Sequence, residues 1–80
     1  MIYLYVLRSY VNGDLYVGIC KDISNRLREH NAGKNRYTKG LRPWVLVHQE
    51  TFPDWALARQ KEKYYKSGSG KELLKRILAP

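Results

Sequence analysis

Ile2-Tyr3-Leu4-Tyr5-Val6-Leu7 and Leu15-Tyr16-Val17-Gly18-Ile19-Cys20 are the two runs whose reading decides the fold. Both are rich in β-branched and aromatic residues. The polar stretch between them carries Asn12-Gly13, a strong hairpin-turn signal. Together they predict a β-hairpin that seeds a sheet and carries half of a chemical site.

The register of that hairpin decides whether its tyrosines can meet. A two-residue turn at Asn12-Gly13 is the default, and it pairs Val11 with Asp14, Ser9 with Tyr16 and Tyr5 with Cys20. Side chains alternate with period two, so Tyr5, Tyr16 and Gly18 share one face. In this register Tyr5 and Tyr16 stand four residues apart along the sheet, roughly 13 Å at about 3.3 Å per residue. A wider loop, from about Arg8 to Asp14, would set them opposite each other, and a shared site needs that loop.

Downstream, Asp22 can cap a helix with Ile23 and Leu27 as its core-facing pair and Gly33 as its stop. Arg26 and His30, four apart, point out from one face of that helix. Residues Gly33 to Pro43 form a basic loop with Lys34, Arg36, Lys39, Arg42 and Tyr37 but no acid. Trp44 to Phe52 reads as a third strand. Asp54 opens a second helix, from Trp55 to about Ser67, in which Glu62 is an isolated acid among cations. Ser67-Gly68-Ser69-Gly70 breaks it, and either serine can cap a last helix with Leu73, Leu74, Ile77 and Leu78 as its apolar stripe. The expected architecture is α+β, a three-stranded antiparallel sheet flanked by three helices, in one domain over residues 1–80.

Composition narrows the function. Fifteen Lys+Arg against seven Asp+Glu give a net charge of +8 on eighty residues. Such a balance favours a polyanionic partner, nucleic acid first. No apolar run approaches the ~20 residues that span a bilayer, so a membrane is not expected. The amino terminus lacks the basic stretch of a signal peptide and enters the first strand directly. The single Cys20 excludes an internal disulfide and, with only His30 and His48 as other soft ligands, argues against zinc. A cytoplasmic chain is the simple expectation.

The polar groups this layout could gather are Tyr5, Tyr16, Arg26, His30 and Glu62. A tyrosine serves as a general base if a neighbour lowers its pKa from about 10. Arginine holds phosphate in two-point contact. Histidine shuttles a proton near neutral pH. One carboxylate suffices for a Mg²⁺ that keeps most of its waters. These are parts of a one-metal phosphodiester hydrolase.

Tyr3-Leu4-Tyr5 with Tyr16-Val17-Gly18, Arg26 eight residues after Gly18, His30 four further, and Glu62 within Ala58-Arg59-Gln60-Lys61-Glu62-Lys63 resemble the GIY-YIG nuclease family. The likeness is strongest to its small stand-alone bacterial members, which are similar to the amino-terminal nuclease domain of the excinuclease C subunit. It extends to Thr38-Lys39-Gly40-Leu41-Arg42-Pro43-Trp44 and to Lys66-Ser67-Gly68-Ser69-Gly70. The resemblance implies that Tyr5 or Tyr16 activates the attacking water, with Tyr5 relaying its proton to His30 as the favoured assignment. It implies that Arg26 binds the scissile phosphate, that Glu62 holds Mg²⁺ or Mn²⁺, and that Gly18 lets the backbone pack closely under the site. The implied partner is DNA, with branched and single-stranded forms and a protein partner all left open. Tyr3 replaces the glycine of the first motif, and Ile19 stands where some members carry a lysine.

Two other functions compete. A nucleic-acid-binding module of the same fold with little activity would also use the +8 charge. A pure protein-interaction domain would leave that charge unexplained. Taken singly, Tyr5 and Tyr16 read as strand tyrosines, His30 as a surface helix residue, and Glu62 as a salt-bridge partner.

Overall fold

The computed structural model describes residues 1–79. In chain order the elements are β1 (Ile2–Ser9), β2 (Leu15–Cys20), α1 (Ile23–Asn31), a single 3₁₀ turn (Lys39–Leu41), β3 (Trp44–Phe52), α2 (Trp55–Tyr65) and α3 (Gly68–Leu78). The strands form one antiparallel sheet in the order β2-β1-β3. The expected α+β architecture is therefore the observed one. No helix among the described residues is long and apolar enough to cross a membrane.

The central strand divides its side chains between two apolar clusters. Leu4 and Val6 pack with Val17, Tyr65 and Leu74 beneath α2 and α3. Tyr5 and Leu7 pack with Cys20 and Trp44, and Ile23 and Leu27 of α1 close over them. This is period-two alternation with both faces covered.

The tight Asn12-Gly13 hairpin is not what forms. Arg8 pairs with Leu15, Leu7 with Tyr16 and Tyr5 with Gly18, which leaves a five-residue loop from Tyr10 to Asp14. Ser9 is the cause. Its Oγ accepts from Val11 N at 3.0 Å, and its carbonyl accepts from Gly13 N at 2.9 Å. A serine that captures nearby backbone groups competes with the two-residue turn. Asn12 then folds onto Asp14 N at 2.9 Å, and Gly13 takes the left-handed conformation at φ +79°. The wider loop moves the tyrosines within reach of each other.

A second irregularity positions Trp44. Val6 pairs with His48 but Leu7 pairs with Leu46, so Val47 is an extra residue in β3. Such a bulge reverses which face the following residues meet. Trp44 consequently joins Tyr5 and Leu7 on the α1 side.

Helix starts follow the expected caps. Asp22 accepts from Asn25 N at 3.0 Å, Asp54 from Leu57 N at 2.9 Å, and Ser67 from Gly70 N at 3.2 Å. Ser67 is thus the cap of α3, and Ser69 lies inside it. Helix α2 stops at Tyr65, short of the expected Ser67. Glu50 ties α2 to β3 by accepting from the Tyr65 hydroxyl, and its Oε2 is 2.8 Å from His48 Nε2. Burial alone would raise the Glu50 pKa, but these hydrogen bonds outweigh it and hold the carboxyl below its ordinary value.

Gly70 sits where α3 crosses the end of α2. A Cβ there would fall 1.8 Å from the Tyr64 carbonyl oxygen, whereas one at Gly68 meets nothing within 4 Å. Helix propensity favours alanine over glycine by about 1 kcal/mol at either position. At Gly70 the backbone clash should reverse that sign, because forced overpacking costs about 1–3 kcal/mol. Gly70→Ala should therefore lower Tm by several degrees in a thermal melt, while Gly68→Ala should leave it unchanged or raise it. Equal Tm values for the two variants would rule out the close α2–α3 crossing.

Candidate active site

Three of the five candidate residues meet on the α1 side of the sheet. Tyr5 Oη lies 3.1 Å from His30 Nε2. The Tyr5 and Tyr16 rings are 6.3 Å apart, and Tyr16 stands edge-on to the His30 ring at 4.8 Å. Tyr5 points from the central strand across Gly18, where a Cβ would fall 2.4 Å from Tyr5 Oη. A side chain at position 18 would displace the hydroxyl. This is the physical content of the glycine in Tyr16-Val17-Gly18.

His30 does not point outward, as its spacing from Arg26 suggests. It is 1% exposed and completes the inward stripe of α1 that begins with Ile23 and Leu27. Position 30 is seven residues after Ile23 and three after Leu27, so the helical period places it inward. The burial is legible in the sequence, masked by the polarity of the side chain. Both ring nitrogens are satisfied, Nε2 by Tyr5 and Nδ1 by Thr38 Oγ1 at 2.8 Å. The two distances accommodate either tautomer. With the proton on Nδ1, Nε2 accepts from the tyrosine hydroxyl.

Thr38 is the partner that sequence reasoning misses. It is buried in the middle of the basic loop, and its carbonyl accepts from Trp44 Nε1 at 2.8 Å. Asn31 ties the same region together, accepting from Trp44 N at 2.7 Å and donating to Trp44 O at 3.0 Å. Neither residue has a periodic or compositional signature. Thr38 does lie within the Thr38-Lys39-Gly40 stretch that carries part of the family likeness.

Arg26 is on the exposed side, 3.7 Å from Glu29, with about half of its side chain in solvent. Its charge still reaches the buried pair. Burial is the main cause that pushes the Tyr5 hydroxyl well above the ordinary phenol range. Tyr16 adds to the rise, Arg26 opposes it, and Glu62 contributes a smaller increase. Burial first, then Arg26, holds His30 below its ordinary imidazole value, with Glu29 opposing. A general-base tyrosine calls for a lowered pKa. At Tyr5 the environment does the reverse, so this phenol stays protonated and His30 stays neutral near pH 7.

Glu62 approaches from α2, and its charge is felt at Tyr5. Its Oε2 is held by Lys66 Nζ at 3.1 Å, one helical turn away. An exposed pair at this spacing contributes only about 0.3–0.5 kcal/mol, so a cation can compete for the carboxylate. Among the described residues no three His, Cys, Asp or Glu converge on a metal cage. The donor set fits a hard ion that takes one carboxylate and keeps its waters, not a soft ion that needs four protein ligands.

Comparison with known proteins identifies the family. The GIY-YIG catalytic domain matches residues 1–76. A UPF0213 protein of Staphylococcus haemolyticus is 40% identical over 76 residues, covering 94% of this chain and 92% of the relative. A UPF0213 protein of Natronomonas pharaonis is 41% identical over 66 residues, covering 81% and 76% respectively. The solution NMR structure of a UPF0213 protein from Bacillus halodurans superposes with a TM-score of 0.60 at 33% identity, covering all of this chain and 89% of that one. A tyrosine pair over a glycine, an inward histidine and a matching domain over nearly the whole length lead to one conclusion: the chain belongs to the GIY-YIG family, among relatives of the UPF0213 type.

Proposed function

We propose that the chain is a divalent-metal-dependent endonuclease that hydrolyses DNA phosphodiester bonds with weak sequence preference. The observation that carries this reading is the Tyr5–His30 contact of 3.1 Å, set beside Tyr16 on one face. It supplies a hydroxyl and a proton acceptor in series.

A phenol whose ionisation is opposed by burial works best as a relay. As the attacking water loses a proton to Tyr5 Oη, the phenolic proton passes to His30 Nε2, and Tyr5 never becomes a phenolate. The water oxygen forms the new P–O bond, and the bond to the leaving oxygen breaks. The proton taken up by His30 then returns to that oxygen through solvent. Thr38 keeps the imidazole aligned. Arg26 holds the scissile phosphate in two-point contact. Glu62 would hold Mg²⁺ or Mn²⁺, which when bound supplies positive charge at the phosphate and the leaving oxygen. Contacts of this kind address the phosphate and carry no sequence information directly, which is why sequence preference should be weak.

A second assignment rests on exposure. Tyr5 is 3% exposed, whereas Tyr16 is only half-buried. Tyr16 has the access to water, and Tyr5 has the proton acceptor. Phenylalanine at each position separates them. Under the relay, Tyr5→Phe should cut roughly 10²–10⁴-fold more slowly, the usual worth of one positioned proton-transfer group. Tyr16→Phe should stay within about tenfold of the parent on the same scale. If only Tyr16→Phe loses cleavage, the water belongs to Tyr16.

Glu62→Gln tests the metal. Glutamine has nearly the same shape and helix propensity, so the fold should persist. Removing a negative charge from a surface that meets phosphate should keep or tighten DNA binding in chelator. Cleavage of plasmid DNA with Mg²⁺ should disappear. Near-parent cleavage by Glu62→Gln would exclude it as the ligand, and equal cutting by the parent in chelator would exclude the metal mechanism altogether.

The neutral His30 also predicts an acid limit on stability. Its unfolded pKa is near 6.5 and its folded pKa is lower. Below about pH 6.5 the unfolded chain therefore binds the extra proton first, and stability falls as pH drops towards the folded value. Urea denaturation between pH 7.5 and pH 5 should show this loss, and His30→Gln should show less of it. An identical pH slope in the two proteins would mean that His30 is not buried in its neutral form.

A further inference from the structure

A cavity of about 800 Å³ lies between β2, the end of α2 and α3. It is separate from the Tyr5–His30 contact, and the relay makes no use of it. Its rim carries Arg8, Lys66, Lys71 and Lys75 against a single acid, Asp14. Arg8 and Lys71 have no carboxylate partner among the described residues. Lys75 has only a surface contact with Glu72 at 3.8 Å. The floor is apolar: half-buried Leu15 and Leu78 open into it, above the buried Val17, Leu74 and Tyr65 of the core. Charge on the rim with apolar surface below suits a strand that sets its phosphates on cations and turns its bases inward.

The groove also adjoins the site. Lys66 lines it and at the same time holds Glu62 Oε2 at 3.1 Å. Lys66, the residue that caps α2, is four residues on from Glu62, about 6 Å of rise. Tyr16 borders the groove as well. A chain whose phosphate lay at Glu62 would have its next residues at the mouth of the cavity.

We propose that this groove binds an unpaired nucleic-acid strand flanking the scissile phosphate, with phosphates on the lysine rim and bases on the apolar floor. The proposal rests on the nuclease reading for its direction but not for its binding chemistry. A duplex keeps its bases stacked inside and would leave the apolar floor without a partner. An unpaired strand can turn its bases down onto that floor. An acidic peptide would match the rim too, but would have no reason to continue towards Glu62.

The test uses the full chain in chelator, so that no cutting intervenes. A fluorescent twelve-residue oligothymidylate and a duplex of equal length are titrated by anisotropy at several salt concentrations. The Lys71→Glu/Lys75→Glu variant should bind the single strand at least tenfold more weakly than the parent, with a smaller loss for the duplex. Its log K against log salt slope should be shallower by about 1.4, two contacts at about 0.7 each. Circular dichroism checks the fold, and Lys71→Gln/Lys75→Gln, which adds no repulsion, should show the same order of effects at smaller size. Parent-like single-strand binding by both variants would overturn the proposal, as would equal losses for single strand and duplex. Displacement of the oligonucleotide by a twelve-residue polyglutamate at equal charge would make the groove a protein-docking site instead. A parallel Mg²⁺ cleavage assay keeps the two ideas apart. Cleavage by the parent with no groove effect on binding leaves the nuclease reading standing alone. A groove effect without cleavage leaves the groove standing alone.

Discussion

The site depends on one close approach, the passage of the Tyr5 hydroxyl over the bare backbone of Gly18. The β1–β2 register makes these two residues partners, and only a residue without a Cβ lets the phenol lie flat across the strand. That position brings the hydroxyl to His30 and leaves the ring against Tyr16. The register in turn is held by Ser9, whose side chain also donates to Leu41 O at 2.7 Å and so pins the hairpin loop to the far side of the basic loop. A buried serine at the end of β1 thereby determines the geometry of a contact four residues away.

Electrostatics follow from the same burial. A protonated tyrosine and a neutral histidine can share an apolar pocket, because neither carries charge and each satisfies the other. The charges stay outside, on Arg26 and Glu62, with side chains partly in solvent. In the proposed mechanism, proton transfer and charge stabilisation thus fall to different layers of the molecule. The buried layer is held by hydrogen bonds to both ring nitrogens of His30, while the outer charges rest in weak pairs with Glu29 and Lys66.

Much of this is legible in the amino-acid sequence. The three strands, the caps at Asp22 and Asp54, and the grouping of Tyr5, Tyr16 and His30 follow from alternation, capping chemistry and motif order. What is not legible has specific causes. The hairpin register escapes because Asn12-Gly13 is a strong local signal, and the competing captures by Ser9 become apparent only with the loop formed. The bulge at Val47 leaves no trace in a strand that is apolar at its centre whichever way it faces. Thr38 is hidden because a threonine among lysines in a loop looks solvated. Burial comes from its contacts with His30 and Trp44, which no period along the chain connects to it.

Thr38 anchors its loop at the middle, and Leu41 O and Pro43 O anchor the far end by accepting from Ser9 Oγ at 2.7 Å and Tyr10 N at 3.0 Å. On either side of it Tyr37 and Lys39 are exposed, Tyr37 to 83%. The segment is therefore like a bridge carried on a central pier and a far abutment. The exposed side chains beside Thr38 can be exchanged, one cation or aromatic for another, without removing the contact that holds the imidazole. On the proposed reading, contact with a partner and support of the imidazole thus fall to different residues of one eleven-residue loop, from Gly33 to Pro43. A lineage could retune what the loop touches while the Tyr5–His30 contact stays where it is.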